Sequence, residues 1–457
     1  MPHLTRRPLE WACDASALFT PLQHLPWAML LDSAVDAAAP HPDASVDIIV
    51  ADPLATLTTE GHHTRIHADD GVSVSDDDPL ILLEQQLTTR LPTIEGHRDL
   101  PFCGGALGHF SYDLGRRFER LPRRAGDDIG LPEMAVGLYD WALILDHDRD
   151  RVELVVVGDE HAWQARLQWL VEQRSQAGHR FSLTGAWQHD TSHGDYLEAF
   201  DRVQAYLRSG DCYQINLTQR FHAPYRGSEW QAYLTLRAHN LAPFSAFIRL
   251  PDAALLSLSP ERFLLVEGDQ VQTKPIKGTR PRSPDSRQDN QAALALAHSE
   301  KDRAENLMIV DLLRNDLGRV SAPGSVRVPS LFAIESFPAV HHLVSTVTST
   351  LAPGVTPCDL LRGAFPGGSI TGAPKIRAME IIEELEPWRR SLYCGSIGYL
   401  SCHGRMDTSI TIRSLVAKGD RIYCWAGGGI VADSHGEAEY QECFDKLARI
   451  LPVLAQP

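Results

Sequence analysis

Glu261 and Lys277 are candidates for acid–base and nucleophilic chemistry because they stand at the two ends of a predicted hairpin. Two β-like runs flank Gly268-Asp269, a pair that suits a two-residue turn. In the register of that turn Glu261 lies opposite Ile276, and a loop one residue longer places it opposite Lys277. The sequence therefore predicts a carboxylate close to an ammonium group, either as a reactive pair or as an ion pair on the surface.

Two pairs of acidic residues could hold a metal ion. Asp302 and Glu305 are three residues apart on one predicted helix, and Glu439 and Glu442 repeat this spacing on the last helix. Residues at this spacing share a helix face. Oxygen ligands without a His or Cys cluster favour Mg²⁺ over zinc. The alternative is two solvated helix surfaces, which is the commoner role of glutamate.

Three further features could bind anionic groups. The turn at Gly367–Lys375 resembles a phosphate loop without the Walker spacing, and it precedes a predicted helix whose free N–H groups favour an anion. Arg413 lies on the polar face of a predicted strand, where a guanidinium could bind a carboxylate. Gly427–Gly429 end the next strand, where a ligand could reach backbone N–H groups. Ordinary turn and sheet geometry would explain these features equally well.

Together these residues describe a cation site, anion sites and a lysine beside an acid, which fits a small dianionic substrate. The chain itself is acidic, since 43 Lys and Arg against 59 Asp and Glu give a formal net charge of −16. This charge argues against nucleic acid or an anionic membrane as the main partner. We find no transmembrane run and no secretory signal. The eight cysteines lack C-x-x-C spacing and indicate reduced thiols in a cytoplasmic protein.

Lysine is rare in this sequence, and arginine supplies most of the positive charge. Arginine cannot replace lysine as a nucleophile or as a titrating base, so each lysine is a candidate for a specific role. The lysines are Lys274, Lys277, Lys301, Lys375, Lys418 and Lys446.

The elements that must position these residues indicate an α+β fold with large antiparallel sheets. Short β-like runs bounded by Pro, Asp and Gly fill the first part of the chain, whereas strands alternate with helices after a polar, irregular stretch. We therefore predict an N-terminal region at 1–172, a linker at 173–194 and a catalytic region at 195–457. A buried helix is predicted over 303–318 and a closing helix over 435–451.

Eight motifs occur in an order that identifies a family. They are SLSPERF (257–263), PIKGTRPR (275–282), DRAENLMIVDLLRND (302–316), FPAVHHLVS (337–345), FPGGSITGAPK (365–375), GSIGYLS (395–401), MDTSITIR (406–413) and AGGGIVADS (426–434). This set resembles the chorismate-utilising enzymes, which include the large subunits of anthranilate synthase and aminodeoxychorismate synthase, with isochorismate and salicylate synthases as relatives. The resemblance implies two large, mainly antiparallel sheets packed with helices, the anthranilate synthase component I-like fold.

Lys277 separates the members of this family. Anthranilate synthases have alanine at this position of the PI-x-GT segment, whereas aminodeoxychorismate synthases have lysine. The resemblance therefore implies an enzyme that makes 4-amino-4-deoxychorismate from chorismate and ammonia, with anthranilate synthase component I as the alternative. Isochorismate and salicylate synthases carry a lysine base where this chain has Gln214, which argues against those two activities.

The resemblance also implies a mechanism and its residues. Lys277 would attack the substrate ring as a free amine, which requires a lowered pKa, while Glu261 would protonate the leaving hydroxyl group. Glu305 and Glu442 would bind Mg²⁺ directly, with Asp302 and Glu439 behind them. The residues that would hold the substrate are Gly278, Thr279, Tyr393, Arg413, Gly427, Gly428 and Gly429, and His342 matches the active-site histidine of the family.

Two partners follow from the same resemblance. Ser33 and Pro243-Phe244-Ser245 match a tryptophan pocket of the family, so bound tryptophan is expected there in a structural or regulatory role. The chain lacks a recognisable glutaminase motif, so ammonia would come from a separate glutamine amidotransferase subunit in a heterodimer. A separate lyase would then convert the product to para-aminobenzoate for folate.

Overall fold

Short, largely buried strands dominate the computed structural model, which describes residues 3–34, 41, 43–176, 178–337 and 340–456. The elements before residue 173 are β1 (Leu4–Leu9), α1 (Ala15–Phe19), β2 (Met29–Asp32), β3 (Val46–Val50), β4 (Ala55–Glu60), β5 (His63–Ala68), β6 (Gly71–Ser75), α2 (Pro79–Arg90), β7 (Gly105–Phe110), β8 (Met134–Tyr139), β9 (Trp141–Asp146), β10 (Arg151–Val157) and α3 (Glu160–Glu172). A 3₁₀ segment covers Tyr112–Arg117.

The rest of the chain alternates strands with longer helices. Its elements are β11 (Ser182–Leu183), β12 (Gln188–His189), α4 (His193–Ser209), β13 (Gln214–Arg226), α5 (Glu229–Asn240), β14 (Phe244–Arg249), β15 (Ala253–Ser259), β16 (Arg262–Glu267), β17 (Gln270–Thr273), β18 (Ile276–Pro281), α6 (Ser286–Ala297), α7 (Glu300–Gly318), β19 (Arg327–Ser336), β20 (Val340–Thr350), α8 (Pro357–Ala364), β21 (Gly372–Ala373), α9 (Lys375–Leu385), β22 (Ser396–Ser401), β23 (Met406–Ile410), β24 (Ser414–Lys418), β25 (Arg421–Ile430), α10 (Gly436–Leu447) and α11 (Leu451–Leu454). A second 3₁₀ segment covers Gly368–Ile370.

The strands form two large antiparallel sheets, which confirms the predicted fold class. The first sheet follows the order β1-β10-β9-β3-β2-β14-β15-β24-β25-β13-β11, and β12 and β21 also pair with β13. The second sheet follows the order β18-β20-β17-β16-β23-β22-β7-β8-β4-β5-β6, and β19 pairs with β20. Each sheet contains strands from both the N-terminal and the C-terminal part of the chain. The regions predicted at 1–172 and 195–457 therefore share both sheets, and the stretch predicted as a linker contributes β11 and β12.

Two apolar cores hold these layers together. One core lies between the sheets and joins residues such as Met29 and Ile48 of the first sheet to Leu57 and Phe110 of the second. The other core packs α1, α3, α4, α5, α9 and α10 against the far face of the first sheet. The eight cysteines are free in the structure. Among the described helices, none combines the length and the apolar character that a membrane crossing needs.

Two of the places where the chain crosses between the sheets are neighbours in space. The chain leaves β15 of the first sheet and enters β16 of the second through Pro260-Glu261, and it leaves β23 of the second and enters β24 of the first through 411–413. Hydrogen bonds join the two crossings, since Ile410 N–H donates to the carbonyl of Glu261 (3.0 Å) and Leu258 N–H to that of Arg413 (3.1 Å). Two of the predicted site residues therefore lie at the junction of the sheets.

Candidate active site

Lys277 projects from a break in strand pairing. Strand β18 pairs with β20 as Ile276–Val344 and then as Thr279–His342, so the register shifts by one residue between these pairs. The extra residue forms a β-bulge at which Gly278 has a φ of 84°. Such bulges redirect side chains and are common next to active sites. The positive φ favours glycine, and a Cβ here would stand 2.8 Å from a methyl group of Leu296 and 2.9 Å from the Cβ of Asp302.

Side chains, and not strand pairing, bring Glu261 to Lys277. The predicted hairpin register is confirmed from Leu265–Gln272 to Glu267–Gln270, but the two strands then pair with other neighbours. Glu261 is 4% exposed, and its carboxyl group accepts hydrogen bonds from the N–H of Ile276 and the hydroxyl of Ser369. Lys277 Nζ donates to the carbonyl of Ser369 at 2.9 Å.

Burial moves the pKa values of this pair in opposite directions. It raises the pKa of Glu261 to about 7, against the positive charge of Lys277 and two hydrogen bonds that favour the carboxylate. It lowers the pKa of Lys277, helped by Lys446 and opposed by Glu305, Glu261 and Glu442. A carboxyl group that keeps its proton more readily, beside an amine that loses its proton more readily, is suited to nucleophilic attack with proton donation.

The acidic pairs on α7 and α10 meet across Lys301. Lys301 Nζ lies 3.8 Å from Glu305 and 3.7 Å from Glu439. Glu439 also accepts a hydrogen bond from the hydroxyl of Ser434 at 2.7 Å. Burial raises the pKa of Glu305, and the nearby acids Asp302 and Glu439 raise it further. An ammonium group is thus held between carboxylates of two different helices.

The other acid of each pair has a cationic partner of its own. Glu442 pairs with Lys446 at 2.7 Å, and Lys446 also donates to the carbonyl of Gly427 at 2.8 Å. Burial acts to raise the pKa of Glu442, but Lys446, Lys301 and Lys277 together outweigh burial, and the net shift is downward. Asp302 pairs with Arg280 at 2.9 Å, which connects it to the strand that carries the bulge.

These carboxylates fit a divalent cation, although they do not form a closed ligand set. In the described part of the chain, the one group of three metal-ligating side chains with all ligand atoms within 4.8 Å is His41, Asp43 and Glu335. The acids of α7 and α10 are instead gathered around two ammonium groups. Carboxylate oxygens are the donors that Mg²⁺ prefers, and the lysines show that positive charge is accommodated between the helices.

The sequence predicts Arg413 on a strand, and the structure shows that this prediction is wrong. It stands at the second crossing between the sheets, with a φ of 52°, because the chain must turn there from β23 into β24. Its guanidinium has no carboxylate partner among the described residues. Burial and the charge of Arg449 lower its pKa to about 10. A largely desolvated cation without a partner is a site for an anionic ligand.

His342 lies near this arginine, and Tyr393 lies beside the segment that carries it. Thr279 Oγ1 is 2.8 Å from His342 Nδ1, whereas His342 Nε2 is buried without a hydrogen-bond partner in the described residues. Burial and the charge of Arg413 lower the pKa of His342 to about 3, so the imidazole is neutral. Tyr393 stacks on Trp425 with ring centroids 6.2 Å apart. The N–H of Cys394, the residue after Tyr393, donates to the carbonyl of Thr411.

Gly427–Gly429 pair with β13 at the end of β25. Side chains are excluded there: a Cβ at Gly427 would lie 2.3 Å from the carbonyl of Leu217, and one at Gly429 would lie 2.2 Å from Gln214 Nε2. A Cβ at Gly428 would lie 3.0 Å from Glu439 Oε2. Both amide atoms of Gln214 are buried without a partner in the described residues. These glycines therefore form a stretch of backbone without side chains, and Gly428 of this stretch lies close to Glu439 of α10.

The residues matched to a tryptophan pocket line one cavity of about 180 Å³. Ser33 and Pro243-Phe244-Ser245 form its wall from the first sheet, and residues of β16, β22 and β23 form the opposite wall. The neighbouring Asp32 is buried, and its carboxylate accepts hydrogen bonds from Tyr233 (2.8 Å) and Arg237 (2.5 Å). The cavity is thus separate from Lys277 and lies between the two sheets.

Sequence reasoning missed the roles of three groups that complete the site, which are Ser369, Lys301 and Lys446. Ser369 contacts both Glu261 and Lys277, whereas the sequence indicates only an anion site for the turn that contains it. Lys375 of that turn is held by Asp316 at 2.7 Å. Lys301 and Lys446 stand four residues from Glu305 and Glu442, and this i,i+4 spacing together with the rarity of lysine could have identified them.

The sequence matches the family described as chorismate binding enzyme over residues 36–452. The chain is 58% identical over 447 residues to aminodeoxychorismate synthase component 1 of Escherichia coli (strain K12), covering 98% of this chain and 97% of that protein. It is 59% identical over 444 residues to the protein of the same name from Salmonella typhimurium (strain LT2), covering 97% and 96%. Identity to anthranilate synthase component 1 of Thermus thermophilus is 42% over 389 residues, covering 83% of each chain.

Solved structures share the architecture. The crystal structure of anthranilate synthase component I from Streptococcus pneumoniae TIGR4 superposes with a TM-score of 0.78 at 31% identity, covering 88% of this chain and 91% of that one. The menaquinone-specific isochorismate synthase MenF from Escherichia coli superposes with a TM-score of 0.75 at 19% identity, covering 100% and 95%. At that identity the second likeness supports the fold alone.

Proposed function

The chain belongs to the chorismate binding enzyme family, and we propose that it acts as aminodeoxychorismate synthase component 1, which converts chorismate and ammonia to 4-amino-4-deoxychorismate. The single observation that carries this proposal is the position of Lys277, an amine held in a buried site beside a carboxyl group whose pKa is raised to about 7. The relatives at 58–59% identity carry the same name.

The first step forms a covalent bond to the enzyme. The lone pair of Lys277 Nζ attacks C2 of the ring, the two ring double bonds shift, and the C4–oxygen bond breaks. Glu261 gives its proton to the departing oxygen, which leaves as water. A hydroxyl group is a poor leaving group without that proton, so both members of the pair are needed in the same turnover.

The second step releases the enzyme. Ammonia attacks C4, the double bonds shift back, and the C2–Nζ bond breaks to return the lysine. The carboxylate left on Glu261 takes up the proton that the attacking nitrogen loses, so the overall change is chorismate plus ammonia to 4-amino-4-deoxychorismate plus water. Two substitutions at favourable positions thus replace one difficult substitution.

Arg413 and the glycines of β25 are suited to hold the substrate. The unpaired guanidinium of Arg413 would bind a carboxylate, and the buried Nε2 of His342 is free for a polar group nearby. The backbone of Gly427–Gly429 offers close approach without side chains. These groups orient the ring so that C2 faces Lys277.

We propose Mg²⁺ as the cofactor, held by Glu305 and Glu442 with Glu439 and Asp302 as outer partners. Carboxylates of two facing helices supply the oxygen donors that this ion prefers. When bound, the ion would neutralise a substrate carboxylate and withdraw electrons from the ring. Lys301 and Lys446 occupy the same acids in the structure and would have to give way.

Two binding partners complete the proposal. The name component 1 of the relatives implies a second component, and we propose that it is a glutamine amidotransferase subunit that supplies the ammonia. For the cavity lined by Ser33 and Pro243-Phe244-Ser245 we propose tryptophan as the occupant. Its volume of about 180 Å³ and its mixed apolar and charged walls suit an amphipathic aromatic molecule.

Anthranilate synthase activity is the second candidate, because a relative of that name is 42% identical. The two activities leave nitrogen on different ring carbons. The deciding experiment incubates the purified chain with chorismate, ammonium and Mg²⁺ and identifies the product by mass and absorbance. We expect 4-amino-4-deoxychorismate. Anthranilate as the main product would contradict the proposal, and so would the absence of any product.

A further inference from the structure

Lys274 is the centre of a charge network outside the Lys277 site, and two members of this network, Asp43 and Arg262, also line the cavity described above. Its Nζ lies 2.8 Å from Asp43 and 2.9 Å from Glu335. Arg262 also binds Asp43, at 2.6 Å, and His41 Nε2 lies 3.6 Å from Glu335. The side chain of Lys274 is 14% exposed, so this ion pair is better shielded than a surface pair. The network joins the segment before β3 to strands β16 and β19.

Lys274 stands three residues before Lys277, and the chain between them is fixed by its own hydrogen bonds. The carbonyl of Pro275 accepts from the N–H of Ser345 at 3.2 Å. The N–H of Ile276 donates to the carboxyl group of Glu261. The two residues between the lysines are thus tied to β20 and to Glu261, and Lys274 anchors the start of the same short segment that sets the position of Lys277.

Glu335, the second partner of Lys274, is connected to the same site through strand β20. Glu335 is opposite His342 in the pairing of β19 with β20, and His342 is opposite Thr279 in the pairing of β18 with β20. The Lys274–Glu335 ion pair thus spans β20 and ties β19 to the β17–β18 connection. The bulge lies next to this ion pair, at the point where the pairing of β18 with β20 gives the backbone of Lys277 least support.

We propose that Lys274 is a positioning residue, which holds the bulge at Lys277 in its reactive geometry by bridging Asp43 and Glu335. This inference rests on the proposed function, since it concerns the reach of Lys277 to C2 of the substrate. An error of about 1 Å in such an alignment can lower a rate ~100-fold.

A metal site at His41, Asp43 and Glu335 is the competing interpretation of this network. The three ligand atoms lie within 4.8 Å of one another. However, Lys274 already contacts both carboxylates, and Arg262 contacts Asp43. The negative charges are balanced by two side chains of this chain, so the bridge explains the cluster without an ion.

The test measures how fast Lys277 bonds to the substrate. Full-length variants Lys274→Met, Lys274→Arg and Glu335→Gln are mixed with chorismate and Mg²⁺ without ammonia, and the mass of the peptide that contains residue 277 is followed in time. Lys418→Met is the matched control, because Lys418 also bridges a carboxylate, Asp252 at 2.9 Å, and a second oxygen, far from the site.

For Lys274→Met we expect the rate constant of adduct formation and kcat to fall about 10- to 100-fold, with KM for chorismate nearly unchanged. Glu335→Gln should act in the same direction, because it breaks the same bridge. Lys274→Arg should restore most of the rate, since a guanidinium can reach both carboxylates. The two damaging changes together should cost little more than either alone.

Three results would overturn the proposal. An unchanged rate constant in Lys274→Met is the first. A smaller amplitude at an unchanged rate constant is the second, because it reports a misfolded fraction and not misalignment. Opposite effects of Lys274→Met and Glu335→Gln are the third, because they indicate a direct effect of charge. A wild-type chain that forms neither adduct nor product contradicts the proposed function instead.

Discussion

Glu261 and Lys277 share one buried site, and the pKa of the carboxyl group is raised to about 7 while the pKa of the amine is lowered. An acid and an amine that meet on a protein surface form an ion pair at neutral pH. Here burial penalises both charges, and Ser369 contacts both groups. The arrangement excludes the surface ion pair that the sequence left open.

Replacement of Lys277 should remove the activity. In Lys277→Ala we expect the formation of 4-amino-4-deoxychorismate to fall by more than about 10³-fold, as for loss of other catalytic nucleophiles. Any residual turnover should shift toward anthranilate. Product identification from chorismate and ammonium measures both effects. Lys418→Ala is the control and should keep full activity, and wild-type rate and product in Lys277→Ala would falsify the nucleophile role.

The activity should have a bell-shaped dependence on pH. Glu261 must be protonated, so kcat falls as pH rises through its pKa of about 7. Lys277 must be neutral, so kcat falls as pH decreases. In Glu261→Gln the maximum should drop about 10²- to 10⁴-fold and the alkaline limb should disappear. An alkaline limb that survives in this variant would assign the proton donor to another group.

The acids of α7 and α10 should differ in their effect on the Mg²⁺ requirement. Glu305→Gln and Glu442→Gln should raise the Mg²⁺ concentration for half-maximal activity about 10- to 100-fold, and Glu439→Gln less. Lys301→Met should lower that concentration, because it removes a cation that competes for Glu305 and Glu439. Titration of activity with Mg²⁺ checks all four variants. Equal, small effects from the three acids would place the ion elsewhere.

The tryptophan cavity can be tested without an activity assay. Ser45 lines the cavity and is half-buried, so a phenylalanine there should fill the space without disrupting the core. Calorimetric titration should show tryptophan binding to the wild-type chain and to Ser73→Phe, an exposed change on β6, and at least a tenfold weaker affinity in Ser45→Phe. Equal affinities in all three proteins would mean that tryptophan binds at another place.

One buried ion pair should stabilise the loop that carries Ser369. Arg390 is buried, pairs with Glu386 at 2.7 Å and donates to the carbonyls of Ile370 and Asn216. Arg390→Met leaves the carboxylate unpaired and should lower the free energy of unfolding by about 3–5 kcal/mol. Arg314→Met removes an exposed pair with Asp311 and should cost less than about 1 kcal/mol. Urea unfolding measures both; similar values would show that the buried pair is not stabilising.

The sequence predicted the chemistry of the site better than its geometry. Turn type was sufficient to predict the hairpin register near Gly268-Asp269, whereas the contact of Glu261 with Lys277 is made by side chains beyond that pairing. Helix periodicity was sufficient to place both acidic pairs. Periodicity could not show that the strand predicted through Arg413 divides between two sheets, because each half has the same alternation of apolar and polar residues. The sequence could not show the bulge at Lys277 either, because the bulge depends on pairing with β20, a strand more than sixty residues away.

The mixed origin of the two sheets has a consequence for synthesis on the ribosome. When residue 172 has left the exit tunnel, neither sheet can be completed, because the central partners of β2 and β7 are still to be translated. The emerging half therefore presents open strand edges that favour aggregation. We expect its folding to wait for the last strands, and a nascent chain stalled there to depend on chaperones.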